Sequence, residues 1–212
     1  MWIKPDASAI SLALGAVLSW CAWALMPDAA TNDAAHILTA VAGARDAVRA
    51  SAIMQLAGSA LLVAGLVAEA REGRRAGAIA TLLGGVGMAA DAVYHQLAFE
   101  MTAPGVAREA VLPVMTKMQT EDLRQLVPLL LLFPVGAVVL GLQRRGAGAP
   151  WSLRALMAPL LTVPLGVAGH LALGLPIRVV ALATLGAVCA GLVGVAGDRA
   201  RHRSAASTAA SD

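Results

Sequence analysis

Six apolar runs, each long enough to cross a bilayer, fill most of this chain, and arginines gather in alternate gaps between them. A helix rises about 1.5 Å per residue, so about 20 residues cover a hydrocarbon core about 30 Å thick. The runs span residues 7–26, 52–67, 76–99, 126–142, 153–175 and 177–196. The second and fourth are short and leave room for another turn. In hydrocarbon every backbone N–H and C=O must be satisfied within the protein, so continuous apolar runs fold as helices. The expected fold class is all-α: a polytopic transmembrane helical bundle of six spans. It forms one domain over residues 1–196, followed by a disordered polar tail over 197–212. Composition agrees, since 14% of residues are charged against about 25% in a soluble domain.

The arginines set the direction of threading. One set of gaps carries ten basic residues on short segments: Lys4, Arg71, Arg74, Arg75, Arg144, Arg145, Arg154, Arg199, Arg201 and Arg203. The other carries six on longer loops: Arg45, Arg49, Arg108, Lys117, Arg124 and Arg178. Acids lean the other way. The first set has five (Asp6, Glu69, Glu72, Asp198 and Asp212), and the second has seven, among them Asp28, Asp33 and Asp46. The positive-inside rule then puts both termini in the cytoplasm. The net charge of +3 therefore orients helices, and no nucleic-acid partner is expected. Arginine outnumbers lysine, and alanine and glycine abound, which fits a GC-rich bacterial genome and a multi-pass protein of the cell inner membrane. The first run is read as a retained span. It is longer than a signal h-region, and Trp20 and Trp23 crowd the Ala22-Trp23-Ala24 cleavage-like site.

Both long loops fall outside the cell in this topology. Each holds an amphipathic stretch, 34–48 and 106–118, expected as a short helix on the outer surface. Small residues recur at helical spacing on the first, third and fifth spans, where they allow close backbone approach. Pro134, Pro159 and Pro164 fall inside spans four and five, where each removes a backbone hydrogen bond and invites a kink. Cys21 and Cys189 lie in the first and last runs, expected at opposite depths, as two free buried thiols.

Asp91 is the one acid well inside a span. A carboxylate there costs several kcal/mol unless it is paired or wetted. It stands four residues before His95, so both project from one helix face. Counting residues from the outer boundary puts His95, His170 and Gln55 at similar depth, with Ser59 one turn deeper near Asp91. Gln55, Ser59, Asp91, His95 and His170 are the candidate ligand-pocket residues. The plainest reading is a polar cluster that packs the bundle near the periplasmic face and lines a small ligand pocket. Two rivals stand beside it. One is a small-solute or ion transporter that uses the proline-broken helices. The other is a copper-like metal or haem site built from His36, His95, His170, Met115 and Met118, because imidazole and thioether sulfur ligate soft metals.

No Gly-x-Ser-x-Gly elbow, phosphate loop or dinucleotide fingerprint is present, so a non-enzymatic role is expected. No cofactor is required by the sequence. The expected partners are the lipid bilayer and, through the small-residue faces, a second copy or another membrane protein.

Overall fold

Asp6 starts the first helix. Its carboxylate accepts from the backbone N–H of Ser8 at 3.0 Å and of Ala9 at 3.4 Å, satisfying donors that a helix start leaves orphaned. In this computed structural model residues 6–27, 33–145 and 150–209 are described. Lys4, Asp28 and the last three residues of the expected tail lie outside them. All described regular elements are helical: α1 Ala7–Leu25, α2 Ala34–Gly43, α3 Arg45–Arg71, α4 Arg75–Met101, α5 Arg108–Lys117, α6 Leu123–Gln143, α7 Pro150–Met157, α8 Pro159–Leu173 and α9 Ile177–Ala209. A π-helical turn, Met118–Asp122, joins α5 to α6.

Five helices are long and apolar enough to cross a membrane, and there are six if α7 and α8 count as one span broken by 41°. The break falls at Pro159, one of the three prolines expected to kink a span. Pro164 lies within α8, and α6 runs on through Pro134. The second run is longer than its apolar core suggested, because α3 extends to Arg45 and Arg71. The segment from Gly197, expected to be disordered, continues α9 as helix to Ala209. Asp198 and Arg199 are buried there, and their partners, described below, give the tail a reason to fold.

Neighbouring helices run antiparallel. α1 lies against α3, where Ser51 Oγ donates to the Ala22 carbonyl at 2.7 Å and Gly15 faces Gly58 and Leu62. α3 lies against α4, and α4 against α6, where Gln143 Oε1 accepts from the Gly77 N–H at 2.9 Å and caps the start of α4. α9 returns along α1 and also carries α7 and α8. Trp20 Nε1 donates to the Leu182 carbonyl at 3.4 Å, and Arg178 reaches the Ala24 carbonyl at 3.1 Å. This register corrects the placement of the cysteines. Both are free, but Cys21 and Cys189 stand within electrostatic reach of each other on adjoining helices, and Cys21 is only half-buried.

The main core holds Leu12, Leu62, Leu66, Phe133, Leu140 and Leu192. A separate core lies at the end of the bundle where α2 and α5 cross α3 and α4. It is built from Ile37, Leu38, Val41, Val48, Ala98 and Met115. Helices therefore form in both amphipathic stretches, and each has an apolar face to bury. Arg108 ties them, donating to the Ala35 carbonyl and to Thr39 Oγ1. Around the main bundle the outward side chains are apolar. Ile79, Leu83, Val86 and Val93 on α4 and Leu161, Leu165 and Leu171 on α8 are all exposed. A soluble monomer does not leave so continuous an apolar surface in water, and hydrocarbon would cover it at no cost.

Candidate functional site

Among the described residues, buried polar side chains gather into two clusters, toward opposite ends of the bundle. The first is the cluster expected from the sequence. Gln55 on α3 is fully buried, and Asp91 and His95 on α4 nearly so. Gln55 Nε2 donates to the Met88 carbonyl at 2.9 Å and to Asp91 Oδ2 at 3.2 Å. His95 Nε2 stands 3.5 Å from the same carboxylate oxygen. The α3–α4 crossing makes this meeting possible, because residues four apart on α4 face one stretch of α3.

The cluster is not closed. Gln55 Oε1, Ser59 Oγ and His95 Nδ1 are buried and have no hydrogen-bond partner. The Gln55 amide cannot be turned round to repair this. Its nitrogen is fixed by the Met88 carbonyl, so its oxygen is left over. Each such buried atom costs about 1–3 kcal/mol if nothing meets it.

Tyr94, beside His95, extends the polar region toward the cap. Its hydroxyl donates to Met115 Sδ at 3.3 Å and accepts from Gln119 Nε2 in the π-helical turn. Neither Tyr94 nor Gln119 was singled out by the sequence. Gln119 stands seven residues before the fourth apolar run begins at Leu126, and it is buried from within the π-helical turn.

The other expected residues go elsewhere. His170 is exposed near the end of α8, its Nδ1 is 2.7 Å from the Leu175 carbonyl, and α8 lies on α9, α6 and α7 rather than on α3 or α4. Equal depth did not bring it to His95. His36 is exposed on α2. Met115 and Met118 are buried, Met115 as part of the cap core. Among the described residues no group of three or more His, Cys, Asp or Glu is placed to hold a metal ion.

The second polar region was missed. Glu69, at the end of α3, is fully buried and holds three guanidinium groups. Oε2 accepts from Arg74 Nε at 2.6 Å and from Arg144 Nη1 at 2.7 Å, and Oε1 accepts from Arg199 Nη1 at 2.8 Å. Arg199 also reaches Glu72 at 2.9 Å and lies 3.7 Å from Asp6. Arg144 lies 3.9 Å from Asp198, which accepts from Ser152 and Arg201. Burial works against the Arg74 charge, but Glu69 and Glu72 outweigh it and hold that guanidinium above its ordinary range. The network joins the ends of α1, α3, α6, α7 and α9 and the α3–α4 turn. Each charge looks, in sequence, like an ordinary solvated span end. The signal available was Glu69 itself, the acid nearest the apolar run in an arginine-rich gap.

An apolar cavity of about 240 Å³ is lined by Trp23, Met88, Phe133, Pro134, Val167 and Leu185, among others. Met88 borders both spaces: its side chain faces the cavity, and its carbonyl takes the Gln55 amide. Comparison with family models, curated proteins and solved structures finds no match for this chain.

Proposed function

We propose that this chain is a six-span protein of a bacterial inner membrane, with both termini cytoplasmic and no enzymatic activity, and that Gln55, Ser59, Asp91 and His95 form a binding site for a small polar ligand near the periplasmic end. One observation carries the reading: Gln55 and His95 both meet the buried Asp91 carboxylate, and each, like Ser59 one turn away on α3, keeps a buried polar atom without a partner. A cluster that served only to lock helices would satisfy its own members, because an unpaired polar group weakens the contact it sits in. The arginine asymmetry supports the orientation. The Glu69 network supports a bundle tied shut at the opposite end.

The test is access. In a background of Cys21→Ala and Cys189→Ala, a Ser59→Cys thiol should react with a small thiol reagent added outside intact cells. It should be spared by a bulky impermeant one. A thiol that no small reagent modifies in the folded protein would end the pocket reading. Modification only from the cytoplasmic side would end the orientation.

A second reading, a small-solute transporter, is favoured by the 41° break at Pro159, since broken helices expose carbonyls at binding sites in transporters. It expects Asp91→Asn to fold normally and to alter the pH dependence of uptake into vesicles. The binding reading alone expects no uptake from either protein.

A further inference from the structure

The apolar cavity belongs to neither polar cluster. Its lining carries no charged side chain, and the Thr184 hydroxyl pairs with Thr162 Oγ1 at 2.9 Å. Water has little to hold it there: an apolar cavity of about 150 Å³ stays dry and takes up apolar molecules instead.

The floor is buried, formed by Phe133 of α6 and Val188 of α9. The rim is not. Leu131 of α6 and Val163 and Val167 of α8 line the same space and are exposed. α8 rests on α9 and only lightly on α6. The space is therefore a groove that opens between α6 and α8 onto the apolar outer surface, and its occupant comes from hydrocarbon. Along α9 the wall runs from Val180 to Val188, about 12 Å at 1.5 Å per residue. A volume of about 240 Å³ spread over that length leaves a mean cross-section of about 20 Å². That is a strip for one extended chain, too narrow for two side by side.

A charge stands at one end of the strip. Trp23 lines the groove near the end of α1, and the carbonyl of the next residue, Ala24, accepts from Arg178 Nη2 at 3.1 Å. Arg178 also lies three residues before Ala181, a wall residue, and so on the same face of α9. Among the described residues no carboxylate pairs with Arg178. Its remaining N–H donors suit a phosphate, which a guanidinium binds through charge-assisted hydrogen bonds.

We propose that the groove holds one acyl chain of an anionic phospholipid, with the lipid phosphate on Arg178. The chain supplies the dispersion contacts that an empty groove forfeits, and the headgroup supplies the missing counter-charge at the membrane surface. This site is separate from the Asp91 cluster and does not depend on it.

The experiment counts, by native mass spectrometry, the lipids that the full chain retains in detergent as lipid is added. The probes are phosphatidylglycerol, phosphatidylcholine with the same chains, and glycerophosphoglycerol, which is the headgroup without chains. Wild type should retain one phosphatidylglycerol per chain in a saturable way and should not bind glycerophosphoglycerol. It should hold phosphatidylcholine about fivefold more weakly, the worth of one basic residue at a membrane surface. Arg178→Gln should bring phosphatidylglycerol down to the phosphatidylcholine level. Ala181→Phe and Val163→Phe fill the groove from opposite walls, where there is room for a ring. Both should lose the retained lipid with helix content unchanged by circular dichroism.

Equal affinity of wild type for the two lipids would overturn the proposal without recourse to any variant. Binding of glycerophosphoglycerol, or filled and folded variants that keep the lipid, would overturn it too. A dimer that disappears when the groove is filled would give the groove to a second copy and overturn it as well.

Discussion

Replacing Glu69 with glutamine is expected to destabilise the folded bundle by about 3–5 kcal/mol, the range for removing one partner of a buried ionic contact. The size follows from what is left behind. Arg144 and Arg199 are almost fully buried, 5% and 6% exposed, and Glu69 is their shared acceptor. Arg199 keeps Glu72 at 2.9 Å, but Arg144 is left with Asp198 at 3.9 Å, too far to replace a hydrogen bond of 2.7 Å. Glu69→Gln keeps the shape, so packing is not confounded, while it removes the charge and turns one acceptor oxygen into an NH2 that faces guanidinium donors. Glu72 supplies the control. Its side chain is 45% exposed, and Glu72→Gln is expected to cost less than about 1 kcal/mol, as for a surface pair. Equilibrium unfolding in one detergent, with both variants beside wild type, checks the contrast. Equal stabilities for the two variants would mean that Glu69 is not the hub of the network.

Gly84→Leu is expected to cost at least about 1–3 kcal/mol, the range for forcing added carbons into a packed interior. A Cβ on Gly84 would fall on the Phe133 backbone of α6, which cannot step aside as a flexible side chain would. α4 and α6 would have to separate, and the Gln143 cap on Gly77 would lengthen with them. Gly85, the next residue, has open space around the same position. Gly85→Ala should be neutral or slightly stabilising, because alanine is the better helix former by about 1 kcal/mol. Melting temperatures of the two variants decide it, and a Gly85 variant as damaged as the Gly84 one would contradict the described α4–α6 contact.

The spans were legible because lipid imposes a single requirement, uninterrupted apolar helix, and a sequence states it directly. The Asp91–His95 pair was legible for a similar reason: two polar residues four apart in an apolar run must share a face. Gln55 was found through depth alone, and the α3–α4 contact happened to bring it there. His170 shows where depth fails. Residue counting gives a height along the bundle but not which helices are neighbours, and α8 is broken from α7 and laid on α9. The Glu69 network lay beyond the same arithmetic. Its paired members stand far apart in the chain, Glu69 and Arg199 by 130 residues and Asp6 and Arg199 farther still, and a charge at a span end reads alike whether water or an arginine meets it. The tail from Gly197 looked disordered by composition. It is helical because Asp198 and Arg199 have buried partners on α1, α3, α6 and α7, which composition does not record.

The most direct measurement is a high-resolution density map of the purified protein. Ordered non-protein density within hydrogen-bond distance of Gln55 Oε1 or Ser59 Oγ is the expected result. Side chains that close on one another instead, with the Ser59 hydroxyl donating to Gln55 Oε1 and no density between α3 and α4, would contradict a ligand site there.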